Sequence, residues 1–160
     1  MSSSSPHRSA LSPVDIAIVG GGAAGLATAI FLRRANPARS VAVLDGARKP
    51  GAKILVSGGT RCNVTNRVVS EADFWGGRRT LIKRVLRAFS TDDTVGFFYD
   101  LHVPLHEEAD GKLFPDSNRS RDVLNALLRA VDTGGARLLA DHRPFFVQCN
   151  YFDGISCRYF

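Results

Sequence analysis

The sequence predicts an α/β fold that opens on a parallel βαβ unit, and three observations carry that expectation. Val14, Ile16, Ala17, Ile18 and Val19 make a short, almost wholly apolar run that stops at three glycines. Residues 23–35 then change to a helix-forming stretch of small and apolar side chains, and residues 40–44 return to an apolar, β-branched run that ends at Asp45. A near-continuous apolar run is the pattern of a parallel strand buried on both faces. A right-handed crossover places two such strands side by side in one sheet. Composition agrees: 160 residues, 44% hydrophobic and 22% charged, suffice for one buried core but are few for a two-domain enzyme.

Asn36 and Pro37 close the first helix. From 46 to 66 the chain is glycine-rich, with Gly46, Gly51, Gly58 and Gly59 interleaved with Lys49, Lys53 and Arg61, and it reads as one long loop. Loops beyond about 12 to 15 residues are commonly functional. Residues 80–89 read as a helix with Leu81, Ile82, Val85, Leu86 and Phe89 on one face and Lys83, Arg84 and Arg87 on the other. Thr91 is expected to cap the next helix, whose first turn holds Asp92 and Asp93 beside the positive end of the helix dipole. That helix should turn Val95, Phe98 and Leu101 inward and end by His102, because Pro104 disfavours helical geometry just before it.

Residues 105–107 and 112–114 flank Ala109-Asp110-Gly111, a hairpin turn. Ser117 or Ser120 is expected to cap a long helix carrying Val123, Leu124, Leu127, Leu128 and Val131, with Gly134 at its end. Residues 137–140 read as a third short strand. The domain reading is a disordered tail at 1–12, the N-terminal part of a nucleotide-binding domain at 13–141, and a divergent tail at 142–160. That last stretch holds two of the three cysteines and shows neither strand nor helix period.

The net charge is +6, and its excess is concentrated. Between residues 61 and 90 lie seven basic side chains, Arg61, Arg67, Arg78, Arg79, Lys83, Arg84 and Arg87, against Glu71 and Asp73. Such a face attracts phosphates, whether of a nucleotide or of nucleic acid. No nucleic-acid motif interleaves it, so a solvated helix face is the expectation and nucleic acid is not an expected partner. Cys62, Cys149 and Cys157 have no metal-ligand spacing and suggest no disulfide framework, which points to a reducing cytoplasm. Pro104 between His102 and His106 prevents a shared helical face, so no metal site is expected. No apolar run approaches the roughly 20 residues of a membrane span, and no membrane partner is expected.

The chemistry is carried by Gly20-Gly21-Gly22-Ala23-Ala24-Gly25, a G-x-G-x-x-G run with a buried strand before it, a small-residue helix after it and an acid ending the next strand. In this Rossmann-like setting Gly20 makes the tight turn, Gly22 lets a pyrophosphate approach the backbone, and Gly25 lets the helix pack on the sheet. The pyrophosphate would sit over the N-terminal amides of Ala23, Ala24 and Gly25, where the dipole favours an anion. Asp45, twenty residues beyond Gly25, is placed to accept from a ribose hydroxyl. An acid there fits the free ribose of FAD or NAD and argues against a 2′-phosphate.

The stretch DIAIVGGGAAGLATAI, then GAKILVSGGTRCNVTN (51–66), then HVPLHEEADGKLFP (102–115), resembles the BaiN/RdsA-like (YhiN-like) family of NAD(P)/FAD-dependent oxidoreductases. The second block is the specific part: Lys53 to Leu55 running into Ser57-Gly58-Gly59, Arg61-Cys62-Asn63 and Thr65-Asn66. The resemblance covers roughly residues 14–140 and implies a glutathione-reductase-type FAD-binding fold. It implies that Gly20, Gly22 and Gly25 meet the FAD pyrophosphate, that Asp45 meets the adenosine ribose, and that Ser57, Gly58, Gly59, Arg61, Cys62 and Asn63 approach the pyrophosphate and flavin. Gly58 and Gly59 would aim backbone amides at an anion, and Lys53 and Arg61 would add positive charge. A salt bridge to a neighbouring helix is the alternative for Arg61. Cys62 lacks a nearby second thiol, so packing rather than redox exchange is expected of it.

Family members are much longer, and the segments that would complete a flavin pocket have no counterpart here. Two readings follow. One is an FAD-binding oxidoreductase, a truncated member using NAD(P)H as reductant on an unidentified organic substrate, with no side chain marked as a catalytic acid or base. The other is a non-catalytic dinucleotide-binding remnant.

Overall fold

The computed structural model describes residues 13–143 and the backbone of two short strands at 147–149 and 157–159. The tail expected at 1–12, and most of 142–160, lie outside the described residues. The α/β expectation is borne out. Strands β1 (Ile16–Val19), β2 (Val41–Asp45) and β6 (Arg137–Ala140) form a parallel sheet in the order β1-β2-β6. Ile16 stands opposite Val41, and Asp45 opposite Ala140.

The middle position decides burial. Val41, Ala42, Val43 and Leu44 of β2 are all buried, whereas β1, expected to be buried on both faces, is half-buried and leaves Val19 exposed. The reason is topological: among the described residues β1 has a hydrogen-bonding neighbour on one side only, so its apolar composition overstates its cover.

Helices α1 (Ala23–Ala35) and α5 (Ser120–Thr133) pack against each other. Leu26, Ala29 and Ile30 from α1 and Val123, Leu124, Leu127 and Val131 from α5 meet Val41 and Val43 in the main core. The capping serine expected at α5 is corrected. Arg119 holds the N-cap position, and Ser120, already helical, donates its hydroxyl to the Leu55 carbonyl at 3.0 Å.

The stretch 46–66, expected to be one loop, contains a five-residue helix α2 (Ala52–Val56), a 3-10 turn (Ser57–Thr60) and strand β3 (Thr65–Asn66). Glycine density hides α2 in the sequence. Gly51 starts the helix in a left-handed conformation at φ +80, and a Cβ there would lie 2.3 Å from Leu124 Cδ1, so only glycine lets α2 dock on α5.

Helix α3 (Arg79–Ala88) has no buried residue. Helix α4 (Thr91–Asp100) is capped by Ser90 rather than Thr91. Ser90 Oγ accepts from the Asp93 amide at 3.1 Å, and the Asp93 carboxylate accepts from the Ser90 amide at 2.8 Å, a reciprocal box that the Ser-x-x-Asp spacing selects. Phe97 joins Phe98 as a buried residue of α4, while Val95, expected inward, is half-buried. The reason is aromatic: Phe97 stacks on Phe31 at 5.1 Å between centroids, and Phe89 meets Phe31 edge-on at 5.3 Å.

The expected hairpin is present as β4 (Leu105–Glu107) and β5 (Lys112–Pro115), with β3 added antiparallel to β5. The tail without period contains an antiparallel pair, β7 (Val147–Cys149) and β8 (Cys157–Tyr159), whose three-residue strands are too short to show alternation.

Candidate functional site

The site begins where β1 stops. Gly20 turns the chain at φ +103, a conformation that disfavours any side chain, and its amide donates to the Leu44 carbonyl at 2.7 Å. Gly22 follows as the N-cap of α1, with no side-chain cap and no acid in the first turn. The first amides of a helix have no intrahelical acceptor, so those of Ala23, Ala24 and Gly25 present a partial positive charge. A Cβ built on Gly20 or Gly22 meets nothing within 4 Å among the described residues, leaving open space above those amides. A Cβ on Gly25 would lie 1.9 Å from the Gly20 carbonyl oxygen, which shows the helix pressed onto the turn.

Asp45 has a duty that sequence spacing did not reveal. Its Oδ2 accepts from the Gly21 amide at 2.6 Å and its Oδ1 from the Ala47 amide at 2.7 Å. The carboxylate therefore ties the glycine turn to the end of β2. Each oxygen has a second lone pair, so the same group is still able to accept from a ribose hydroxyl. Gly21 was not singled out as a site residue, yet a Cβ there would come within 2.9 Å of both Asp45 Oδ2 and Pro50 Cβ.

The 3-10 turn after α2 concentrates unusual backbone. Gly58, Gly59, Thr60 and Cys62 all have positive φ, at 54°, 64°, 72° and 67°. The two non-glycine residues cost of order 1 kcal/mol each and persist only because their surroundings hold them. Cys62 is held as a buried member of the main core. Gly58 is held by closeness, since a Cβ there would lie 2.6 Å from the Asn63 amide nitrogen and 2.9 Å from the Phe114 ring.

A cavity of about 610 Å³ lies between the start of α1 and the stretch 53–64, while Gly20, Gly25, Asp45 and Gly58 do not line it; its volume is within the range of roughly 300–1,000 Å³ that small-molecule sites occupy. Gly22, Ala23 and Ala24 form one end, and Lys53, Ser57, Cys62 and Asn63 form a wall. Phe31, Phe89, Phe97 and Phe98, with Val123 and Leu127, make the rest apolar. Asn63 Oδ1 is a buried oxygen with no hydrogen-bond partner among the described residues, although its amide nitrogen donates to Asn66 Oδ1 at 3.3 Å. Buried polar atoms are rarely left this way, so this wall residue is short of one donor.

Not every residue from the sequence reading gathers here. Arg61 turns away from the cavity: its guanidinium pairs with the Glu108 carboxylate and lies 4.1 Å over the Phe114 ring. Lys53 thus lines the cavity and Arg61 lines a separate depression, together with Gly58, Glu108 and Lys112. Gly59 borders neither. His106 Nδ1 lies 3.3 Å from Asp116 Oδ1, and among the described residues no cluster of His, Cys, Asp and Glu is placed to hold a metal ion. No helix of the described residues is long and apolar enough to cross a membrane.

Residues 14–150 match the family described as HI0933-like protein Rossmann domain. The chain belongs to that family. Among curated relatives it is similar to a ribosomal RNA dihydrouridine synthase of Haemophilus influenzae, 34% identical over 76% of this chain and 30% of that protein. It is similar also to a 3-dehydro-bile acid delta(4,6)-reductase of Clostridium scindens, 32% identical over 70% of this chain and 27% of that protein. The chain therefore spans less than a third of the length of these relatives.

In fold the chain is similar to 3-ketosteroid-delta4-(5alpha)-dehydrogenase from Rhodococcus jostii, with a TM-score of 0.62 at 15% identity over 92% of this chain and 42% of that one. The FrdA subunit of E. coli quinol fumarate reductase aligns with a TM-score of 0.63 at 15% identity, over 86% of this chain and 27% of that one. At that identity the likeness is one of fold.

Proposed function

We propose that this chain forms the dinucleotide-binding part of an FAD-dependent oxidoreductase that takes its electrons from NAD(P)H and reduces an organic substrate in the cytoplasm. The observation that carries the reading is the uncapped start of α1 opening directly into the 610 Å³ cavity. The residues fit the cofactor. The amides of Ala23, Ala24 and Gly25 would hold the pyrophosphate, with the space above Gly22 left open for it. Asp45 would accept from the adenosine ribose while keeping the turn in place. Lys53 would add positive charge at the cavity wall, and Asn63 Oδ1 would take the donor it lacks. Flavin, when bound, supplies the hydride and electron transfer. The apolar wall of Phe97, Phe98 and Leu127 would keep water out of that end.

A reductive direction is supported by the names of the two relatives, one forming dihydrouridine and the other a reductase. The second reading is a non-catalytic remnant that binds only the ADP half of a dinucleotide, favoured by the small share of the relatives' length that the chain spans. One experiment separates the two. The purified 160-residue chain is mixed with excess FAD, passed through gel filtration, and its absorbance spectrum recorded. Flavin bands co-eluting near stoichiometry are expected. Absence of retained flavin, with ADP binding preserved by calorimetry, would replace the oxidoreductase reading by the remnant reading.

A further inference from the structure

One face of the molecule is built neither for the cavity nor for the core. Helix α3 packs chiefly on the 3-10 turn Glu71–Asp73, and none of its residues is buried. Its Leu81 and Val85 are each 60% exposed, and Trp75, just before it, is 98% exposed. Between residues 74 and 89 the chain carries Arg78, Arg79, Lys83, Arg84 and Arg87 and no acid. Arg79, Lys83 and Arg87 recur every fourth residue and so share one side of the helix, while Leu81 and Val85 share another.

We propose that α3 and Trp75 form a docking surface for a lipid bilayer rich in anionic headgroups. The physical case rests on both halves of the pattern. Strongly amphipathic helices with a basic face and a low overall hydropathy lie in the plane of a membrane interface. Tryptophan prefers the headgroup level because its ring is apolar and its N–H is wet. Lys83 Nζ lies 3.9 Å from Glu71 Oε1 in the adjoining turn, so Arg78, Arg79, Arg84 and Arg87 are the cations left to complement an anionic leaflet, where each contributes about a fivefold gain in partitioning. A nucleic-acid strand would use the same cations, but it gives no role to exposed leucine and valine side chains. This surface departs from the sequence expectation of no membrane partner, which concerned spans; lying on a bilayer requires no span.

The lone tryptophan of the chain makes the test direct. The 160-residue chain is mixed with vesicles of phosphatidylcholine alone or of an equal mixture of phosphatidylcholine and phosphatidylglycerol, and co-sedimentation is read with Trp fluorescence. Sedimentation and a blue shift are expected with the anionic vesicles only, and both should fade as ionic strength rises. The R79Q/R84Q/R87Q variant should partition about a hundredfold less, at about fivefold per cation. The L81S/V85S variant should lose the blue shift while retaining salt-sensitive attachment. All five positions are exposed, so both variants should keep the helical content of the parent, which circular dichroism checks. Partitioning indifferent to anionic lipid would overturn the proposal. So would a Trp75 shift with poly(U) in place of vesicles, or lipid-free self-association abolished by L81S/V85S.

Discussion

Gly22→Ser should make the protein more stable and its dinucleotide affinity worse, because the position is open to a side chain but not to a side chain and a diphosphate together. Gly22 sits at φ −83 and ψ −175, an extended conformation that any residue adopts, and its Cβ would touch nothing within 4 Å. A serine hydroxyl there accepts from an amide of the first turn of α1. The gain over glycine at an N-cap is about a few tenths of a kcal/mol, and stiffening the unfolded chain adds about 0.4–1 kcal/mol. Together these raise Tm by about 1–6 °C for a domain of this size. The same hydroxyl occupies an amide that the pyrophosphate needs. Loss of one charge-assisted hydrogen bond is about 1.5–3 kcal/mol, or about a 10- to 100-fold weaker Kd. Thermal unfolding by circular dichroism and titration calorimetry with ADP read the two effects separately. Unchanged affinity would mean that the anion does not lie over α1, and a lowered Tm would mean that Gly22 is not the N-cap.

Gly25→Ala should destabilise by about 1–3 kcal/mol in urea unfolding, because a Cβ 1.9 Å from the Gly20 carbonyl oxygen forces backbone apart. Leu127→Ala, at a buried residue shared by core and cavity wall, should cost about 2–5 kcal/mol by the same assay. Glu108→Gln weakens a half-exposed ion pair and should lower stability by only about 0.2–1 kcal/mol. Flavin retention should stay unaltered in that variant, since Arg61 does not line the cavity. The Asp93 carboxyl is held below its ordinary value of 3.8 by the Ser90 hydroxyl and then by the Ser90 amide. Its charged form is favoured in the fold, so the contribution is present above 3.8 and is lost as pH falls through the lowered value. Urea midpoints should therefore separate the parent from Asp93→Asn at pH 6, and the gap should narrow as pH is lowered below 3.8.

The elements legible in the sequence were those set by local chemistry. The glycine turn with its helix, the Ala109-Asp110-Gly111 hairpin and the long α5 each carry their signal within a dozen residues or so, and all three are present. What stayed illegible was set at a distance. Whether β1 is covered depends on a neighbour strand, not on its own composition. Helix α2 is shorter than two turns of period and exists because Leu124, far along the chain, fits over Gly51. Phe97 is buried because Phe31 and Phe89 are there to meet it. In the site, spacing suggested that Asp45 faces a ribose, but its bond to the Gly21 amide belongs to the geometry of two strand ends. Arg61 carried the alternatives of a phosphate contact or a salt bridge, and residue type alone could not choose between them. Glu108, 47 positions away, supplies the partner, from the turn between β4 and β5 rather than from a helix.

The double duty of Asp45 bears on any attempt to redesign cofactor choice. Replacing an acid at the end of the second strand by a smaller or basic residue is the natural route toward a ribose bearing a 2′-phosphate. Here that exchange would also release the Gly21 and Ala47 amides, from which no other group among the described residues accepts. The glycine turn would loosen at the place where the new ligand must be gripped. Altered specificity at this position is therefore coupled to a loss of preorganisation, and a second substitution supplying a neutral acceptor near Gly21 would be needed to separate them.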